Sequence, residues 1–394
     1  MTESATPSTA APVAATGGAG LRIAWFGHAE GRRADGLSTY SRETVAALRR
    51  RGAEVQFFGH HLDGDVSPAP GPVSLQALRL KTVTIERPGN AERIAAALDA
   101  FRPDVVHCSW SFSLLDGRIG RMAKQRGAAT VATFHLPYAA PRSARGRMLR
   151  GLYRYHVRPL MAYDRCIALS RDQGELLRSA GYPADRVEVV HNGVDTETIT
   201  PGPSALRQRL GARFLVAYLG RLDSEKRVPA LIRSFLALGW PDDHVLVIAG
   251  GGGQERRVRQ LAEGRSNLRV LGIVTEPRAR LELLRAADIY VLPSTAEGLA
   301  LSMLEAMAAG CAVIATEAGD DGEALGDAGL RIPVTPLEPH LRDALRLLRF
   351  DEGLRRSLGQ RARRRVVEHY ALSRNVERLE RIYAELRGQA VRAA

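Results

Sequence analysis

The sequence predicts an α/β protein of two doubly wound, parallel-sheet domains that face each other across a cleft. Three observations predict it. Short apolar, β-branched runs alternate with segments of helical spacing, the order that builds parallel sheets covered by helices on both faces. The alternation starts afresh after "TPGPSALRQRLGA" (200–212), which has the Pro and Gly of a linker. The chain of 394 residues is long enough for two domains of ordinary size.

The elements follow in order. Residues 1–20, rich in Ala, Thr, Ser and Pro, read as a flexible tail, and with no Lys or Arg they do not resemble a secretory signal. "LRIAWFG" (21–27) opens the first series and a helix is expected from about Ser38 to Arg51. "EVQFFG", "DVVHCSW", "ATVATFH", "DRCIALS" and "VEVVHNG" continue it, so residues 21–199 make the first domain. The second domain, 213–369, carries "RFLVAYLG", "HVLVIAG", "LRVLG", "DIYVLPS" and "CAVIAT". A terminal helix is expected at about 370–390, with Leu379, Ile382, Tyr383 and Leu386 on its buried face.

Composition narrows the function. The apolar fraction of 45% and charged fraction of 25% are those of a soluble globular protein, and no apolar run is long enough to span a bilayer. The formal net charge of +13 favours anionic partners: nucleotides, phospholipid surfaces or nucleic acid. Nearly all of the excess is arginine; Lys81, Lys124 and Lys226 are the lysines. Cys108, Cys166 and Cys311 are far apart and form no zinc spacing, which fits a reduced cytoplasmic protein, and His107 beside Cys108 reads as a buried strand residue.

Ligands of doubly wound sheets bind beyond the carboxyl ends of the strands. Four stretches end strands there: "FGHAEGRRADG", "TFHLP", "LGRLDSEKR" and "LPSTAEG". In the third, Arg221 and Lys226 offer a planar fork and a point charge to a diphosphate; the alternative is a solvated loop with Glu225 pairing Lys226. In the first, Gly36 permits close backbone approach at a helix start, where phosphate binds, but no P-loop pattern follows. His135 ends its strand and points at the cleft, as a ligand group or a structural histidine. "IAGGGGQERRVRQLA" places Glu255 where a dinucleotide fingerprint needs its third glycine, which argues against a nicotinamide or flavin site. Asp63 and Asp65 in "LDGDV" have the spacing of a metal clamp but read as turn acids. Arg147, Arg150, Arg154 and Arg158 fall on one helical face, either a solvated basic surface or a contact for an anionic acceptor or membrane.

"PSTAEGLALSMLEAMAAG" (293–310) raises a sharper question. Glu305 lies on the apolar stripe formed by Leu301, Leu304 and Ala308. An unpaired carboxylate there would cost several kcal/mol, so the protein or a ligand must supply donors.

Taken together these stretches resemble family 4 of the retaining nucleotide-sugar glycosyltransferases, from residue 21 nearly to the end. Glu297 and Glu305 look like the family's Glu-x7-Glu motif, and "GRLDSEKRV" like its Gly-Arg-Leu…Glu-Lys motif. "VVHNGVD", "VLVIAGGGG", "VLGIV" and "AADIYVLPS" recur in the family's order. The resemblance implies a GT-B fold, two Rossmann-like domains with the terminal helix packing back on the first. It implies transfer of a hexose-type sugar from a UDP- or GDP-sugar to a hydroxyl, with retention, no metal and no cofactor. Glu305 would take the ribose hydroxyls and Glu297 the donor sugar, with Gly298, Leu299, Ala300 and Leu301 following it. Arg221 and Lys226 would hold the diphosphate, the amide of Gly36 would face it, His135 would line the reacting sugar, and Ile273 would belong to the donor site. The acceptor stays open among lipid, saccharide and small natural product. Nucleic acid is not expected, and peripheral membrane contact falls to the arginine face. Leu299 and Ala300 depart from the family's usual Phe and Gly, Asp35-Gly36 from Gly-Gly, and "ATEAGDDGEALG" from Gly-Gly-x-Pro-Glu. The rivals are a non-catalytic sugar-nucleotide-binding protein, an NAD-dependent oxidoreductase and a phosphorylase-type enzyme.

Overall fold

The computed structural model describes residues 20–28, 36–62, 73–80, 83–86, 89–110, 115–135, 151, 154–155 and 157–393. Two sheets organise them. The first has eight strands in the order β4-β3-β2-β1-β5-β6-β7-β8. These are β1 (Arg22–His28), β2 (Glu54–Leu62), β3 (Val73–Leu80), β4 (Val83–Glu86), β5 (Val105–Trp110), β6 (Ala129–Phe134), β7 (Arg165–Ala168) and β8 (Val187–Val189). All neighbours pair in parallel except β3 and β4. Its helices are α1 (Gly36–Arg50), α2 (Asn90–Phe101), α3 (Asp116–Lys124) and α4 (Arg171–Ser179).

After the short helix α5 (Ala205–Arg209) the second sheet runs β11-β10-β9-β12-β13-β14, all parallel. Its strands are β9 (Phe214–Leu219), β10 (His244–Ala249), β11 (Leu268–Gly272), β12 (Ile289–Leu292), β13 (Ala312–Thr316) and β14 (Leu330–Ile332). The intervening helices are α6 (Val228–Leu236), α7 (Glu255–Ala262), α8 (Pro277–Ala286), α9 (Leu301–Ala308) and α10 (Asp321–Leu325). Then come α11 (Leu337–Phe350), α12 (Glu352–His369) and α13 (Leu372–Ala393). Each sheet grows outward in both directions from its first strand, so each has a switch point: β1/β5 in the first, β9/β12 in the second.

The continuous apolar runs explain the parallel arrangement. Every residue of β5, β6, β9, β10, β12 and β13 is buried, as strands covered on both faces must be. Alternation along β1 splits the first core in two: Ala24 and Phe26 face one apolar cluster, Ile23 and Trp25 the other. The second of these clusters is closed by Leu372, Val376, Leu379, Ile382, Tyr383 and Leu386 of α13, which packs on α1 and β6. The return crossing is pinned by backbone bonds from Val194 N–H to Tyr370 O (2.9 Å) and from Leu372 N–H to Val194 O (2.9 Å). The 200–212 stretch is fastened to α8, where Ser204 Oγ donates to Glu282 O at 2.7 Å and Arg285 Nε donates to Thr200 O at 2.8 Å.

Candidate active site

The second switch point gathers most of the charged candidates. β9 runs into Gly220 and Arg221, and the Arg221 carbonyl accepts from Tyr218 Oη at 2.6 Å. The neighbouring β10 ends in Gly250, with φ +151°, where a Cβ would lie 1.8 Å from Gly220 O; only glycine lets these two loops approach so closely. Lys226 stands at the end of a 3-10 turn, Ser224–Lys226, and is buried. Its Nζ is paired with Glu297 Oε1, and Ser294 Oγ donates to the same oxygen at 2.6 Å. Thr295 N–H donates to Glu225 O at 2.8 Å, tying the loop after β12 to the loop after β9. The solvated-loop alternative paired Glu225 with Lys226; here Glu225 accepts from Arg221 Nη2 at 3.1 Å, and Arg221 also pairs with Asp223. Arg221 is half exposed, Lys226 is not.

The stretch after Glu297 is held from three directions. Asp320 N–H donates to Gly298 O (3.1 Å), Asn192 Nδ2 donates to Leu299 O (3.0 Å), and Ala300 N–H donates to Asp321 Oδ1 (2.8 Å). Gly319, at φ +60°, passes beneath it, and a Cβ there would lie 2.1 Å from Glu297 O. Asp321 is buried, which pushes its carboxyl well above the usual carboxylate range, and the Glu297 charge pushes the same way. Its Oδ2 has no hydrogen-bond partner among the described residues.

Leu301 then opens α9, a helix with Met303, Leu304, Ala306, Met307 and Ala308 buried around Glu305. The donors that Glu305 requires come from the protein: Arg280 Nη2, from α8, lies 2.7 Å from Oε1 and 2.6 Å from Oε2. Ile273, just beyond β11, is partly exposed and packs over Gly251.

The first switch point carries the other two candidates. Gly36 is the exposed first residue of α1, the first helix after β1 in the chain. His135 follows β6; its Nε2 is 2.8 Å from Ser109 Oγ, and its ring meets Tyr40 edge-on at 4.7 Å. Behind them runs a buried polar chain. Tyr40 Oη and Thr133 Oγ1 are 3.2 Å apart, Thr133 Oγ1 lies 2.8 Å from His107 Nε2, and His107 Nδ1 lies 2.6 Å from Tyr383 Oη. His107 stacks on Trp25 at 3.9 Å; burial, and then the neighbouring His135, hold its pKa well below the ordinary histidine value. Burial pushes the Tyr40 phenol up to about 12.

The structure thus brings Lys226 into contact with Glu297, sets Glu305 one helix on, and places Gly36 and His135 on the other sheet. Arg154 and Arg158 are exposed; Arg147, Arg150, Asp63 and Asp65 lie outside the described residues. Lys124 is paired with Asp164 at 2.7 Å. The three cysteines are buried thiols outside any disulfide. Among the described residues no group of three or more His, Cys, Asp or Glu is arranged to hold a metal ion, and no helix is long and apolar enough to cross a membrane. Sequence reasoning missed Arg280, Ser294 and Asp321. Arg280 is one of three arginines in "EPRARLELLRA", and nothing in that pattern singles it out.

Residues 34–198 match the family described as Glycosyltransferase Family 4, and residues 213–349 match Glycosyl transferases group 1. Alpha-maltose-1-phosphate synthase of Mycolicibacterium smegmatis is 28% identical over 385 residues, 89% of this chain and 95% of that protein. D-inositol 3-phosphate glycosyltransferase of Mycolicibacterium gilvum is 30% identical over 319 residues, 73% of this chain and 70% of that protein. Among solved structures, sucrose-phosphate synthase from Thermosynechococcus elongatus superposes with a TM-score of 0.75 at 20% identity, over 93% of this chain and 99% of that one. Anabaena HepE in complex with UDP-glucose gives 0.73 at 17% identity, over 93% and 100%. These two share the fold, which is GT-B. The paired switch points, the two matched halves and the identity to the inositol-phosphate enzyme together make the chain a member of the family 4 glycosyltransferases.

Proposed function

We propose that the chain transfers a hexose-type sugar from a UDP- or GDP-sugar to a hydroxyl, retaining the anomeric configuration and without a divalent metal. The observation that carries this is the buried Lys226–Glu297 pair at the β9/β12 switch point, beside the exposed guanidinium of Arg221. A diphosphate at this point draws on both cations. Lys226, released by Glu297, meets the leaving phosphate, and Glu297 turns to a sugar hydroxyl. The backbone 298–301 frames the sugar, His135 lines its reacting face, Gly36 N–H faces the phosphates and Glu305 takes the ribose. Once the donor has drawn these groups into place, the protein contributes charge and position more than proton transfer. Attack comes from the face the phosphate leaves, and the departing phosphate oxygen takes the acceptor proton.

The names of the relatives, maltose-1-phosphate synthase and inositol 3-phosphate glycosyltransferase, support an acceptor that carries a phosphate. The basic surface at Arg154 and Arg158 suits such an acceptor or an anionic membrane. The test is a thermal-shift screen against UDP, GDP, ADP and their sugars, since a ligand at 100 times its Kd stabilises by about 2.7 kcal/mol. Binding followed by slow hydrolysis of one sugar nucleotide supports a transferase; binding with no turnover supports a non-catalytic sugar-nucleotide-binding protein. A screen with no shift rejects both.

A further inference from the structure

The geometry points to Arg280 as the residue that sets how strictly this site demands a ribose cis-diol. The inference rests on the reading that Glu305 takes ribose. Arg280 Nη2 sits in the fork of the Glu305 carboxylate, 2.7 Å from one oxygen and 2.6 Å from the other. A cis-diol bridging a carboxylate uses the same two inward lone pairs, one for each hydroxyl, so guanidinium and diol cannot both hold the fork. Both side chains are largely enclosed, Arg280 16% and Glu305 10% exposed, so water compensates little for a lost partner.

Two consequences follow from this competition. Arg280 stabilises the folded chain while no ribose is bound, because Glu305 is buried in an apolar helix face and needs a donor. It also cushions the site against an imperfect ligand. When a nucleotide lacks one hydroxyl, Arg280 keeps Glu305 partnered, and the missing hydroxyl costs little. Without Arg280, the same ligand leaves a buried carboxylate oxygen unsatisfied, and the preference for ribose becomes larger.

The experiment measures the Kd of UDP, GDP and their 2′-deoxy counterparts by calorimetry, and the melting temperature without nucleotide. The proteins are wild type, Arg280→Met, Arg280→Gln and Glu305→Gln. Arg280→Met is expected to melt lower than wild type yet bind the cognate ribonucleotide about tenfold tighter, the worth of one charge-assisted hydrogen bond. Its ratio of ribo to deoxyribo affinity should exceed that of wild type. Arg280→Gln, which keeps a neutral donor, should fold where Met does not and lie between. If Glu305→Gln weakens binding but both Arg280 variants bind no tighter than wild type, Arg280 does not compete and the inference falls alone. If Glu305→Gln binds as wild type does, the ribose reading falls and the inference with it.

Discussion

Lys226 Nζ and Glu297 Oε1 form an ion pair between the loops that leave β9 and β12, with side chains only 11% and 10% exposed. Ser294 Oγ adds one donor to the same carboxylate oxygen. On the proposed reading a diphosphate competes with Glu297 for the lysine, so changes in either residue test that competition through phosphate affinity and turnover.

Glu297→Gln removes the competitor and leaves Lys226 to the phosphate. UDP affinity, measured by calorimetry, should hold or rise. kcat should fall about ten- to a hundredfold, as expected for losing a hydrogen bond to a charged group. A variant in which UDP affinity drops in step with kcat would show that Glu297 orients Lys226 and does not compete for it.

Gly319→Ala puts a Cβ at 2.1 Å from Glu297 O in a left-handed backbone. The conformational strain alone is about 1–2 kcal/mol, and the contact must push the Glu297 loop aside. Urea denaturation should show at least that loss, with kcat falling while UDP affinity, proposed to rest on Arg221, Lys226 and Glu305, changes less. Wild-type kcat in a destabilised variant would separate this glycine from the sugar subsite.

Asp320 contributes a pH dependence to stability. Burial raises its pKa to about 6, against a hydrogen bond from Ser170 that lowers it, and the charges of Asp172 and Glu323 raise it further. Between about pH 4 and 6 the folded protein holds a proton that the unfolded chain has released, so this group's contribution falls as pH rises through that window. Above pH 6 the penalty is complete. Asp320→Asn should therefore stabilise by about 1–2 kcal/mol at pH 7.5, some of the linkage being lost to solvent. The gain should vanish below pH 4. Melting curves of both proteins across pH 4–8 check it; an equal gain at pH 4 would assign the effect to packing.

The fold was legible because parallel strands buried on both faces leave unbroken runs such as "FLVAYL" and "HVLVIA", and these mark β9 and β10 directly. Glu305 was legible as a buried carboxylate because its helix is otherwise apolar. Its partner was not, since Arg280 belongs to another helix and looks like every other arginine in a chain crowded with them. Asp321 was hidden for a different reason. Beside Asp320 in a Gly-rich stretch it reads as a turn acid, and only packing shows that both acids are buried and that Asp321 accepts from Ala300 N–H.

Metal independence is open to a direct check. Arg221 and Lys226 are proposed to supply the positive charge that a divalent ion would otherwise bring to the diphosphate. Turnover after EDTA treatment and gel filtration should match that of untreated enzyme within about twofold, well below the tenfold change that 1.4 kcal/mol represents. Loss of turnover with EDTA and recovery with manganese would reject the proposal.

The sharpest test concerns departure of the phosphate. Charge on the bridging oxygen rises as the glycosidic bond breaks, and Lys226, already drawn from Glu297 by the bound diphosphate, is proposed to meet it together with Arg221. Removing one preorganised group of this kind costs about 2.7–4 kcal/mol, or roughly 10²–10³ in kcat, and Lys226→Ala should fall in that range. The same change leaves Glu297 buried without its cation, so Lys226→Ala should also lose stability, by about 3–5 kcal/mol if Glu297 stays charged. The double variant Lys226→Ala/Glu297→Gln should recover much of that stability and none of the kcat. Arg221→Lys should be harmful too, because a point charge cannot reproduce the planar fork, but Arg221 is half exposed, so its effect should fall more on KM. The deciding quantity is kcat at saturating donor. If Lys226→Ala keeps wild-type kcat and differs only in KM, the lysine anchors the ground-state diphosphate and gives the transition state nothing more.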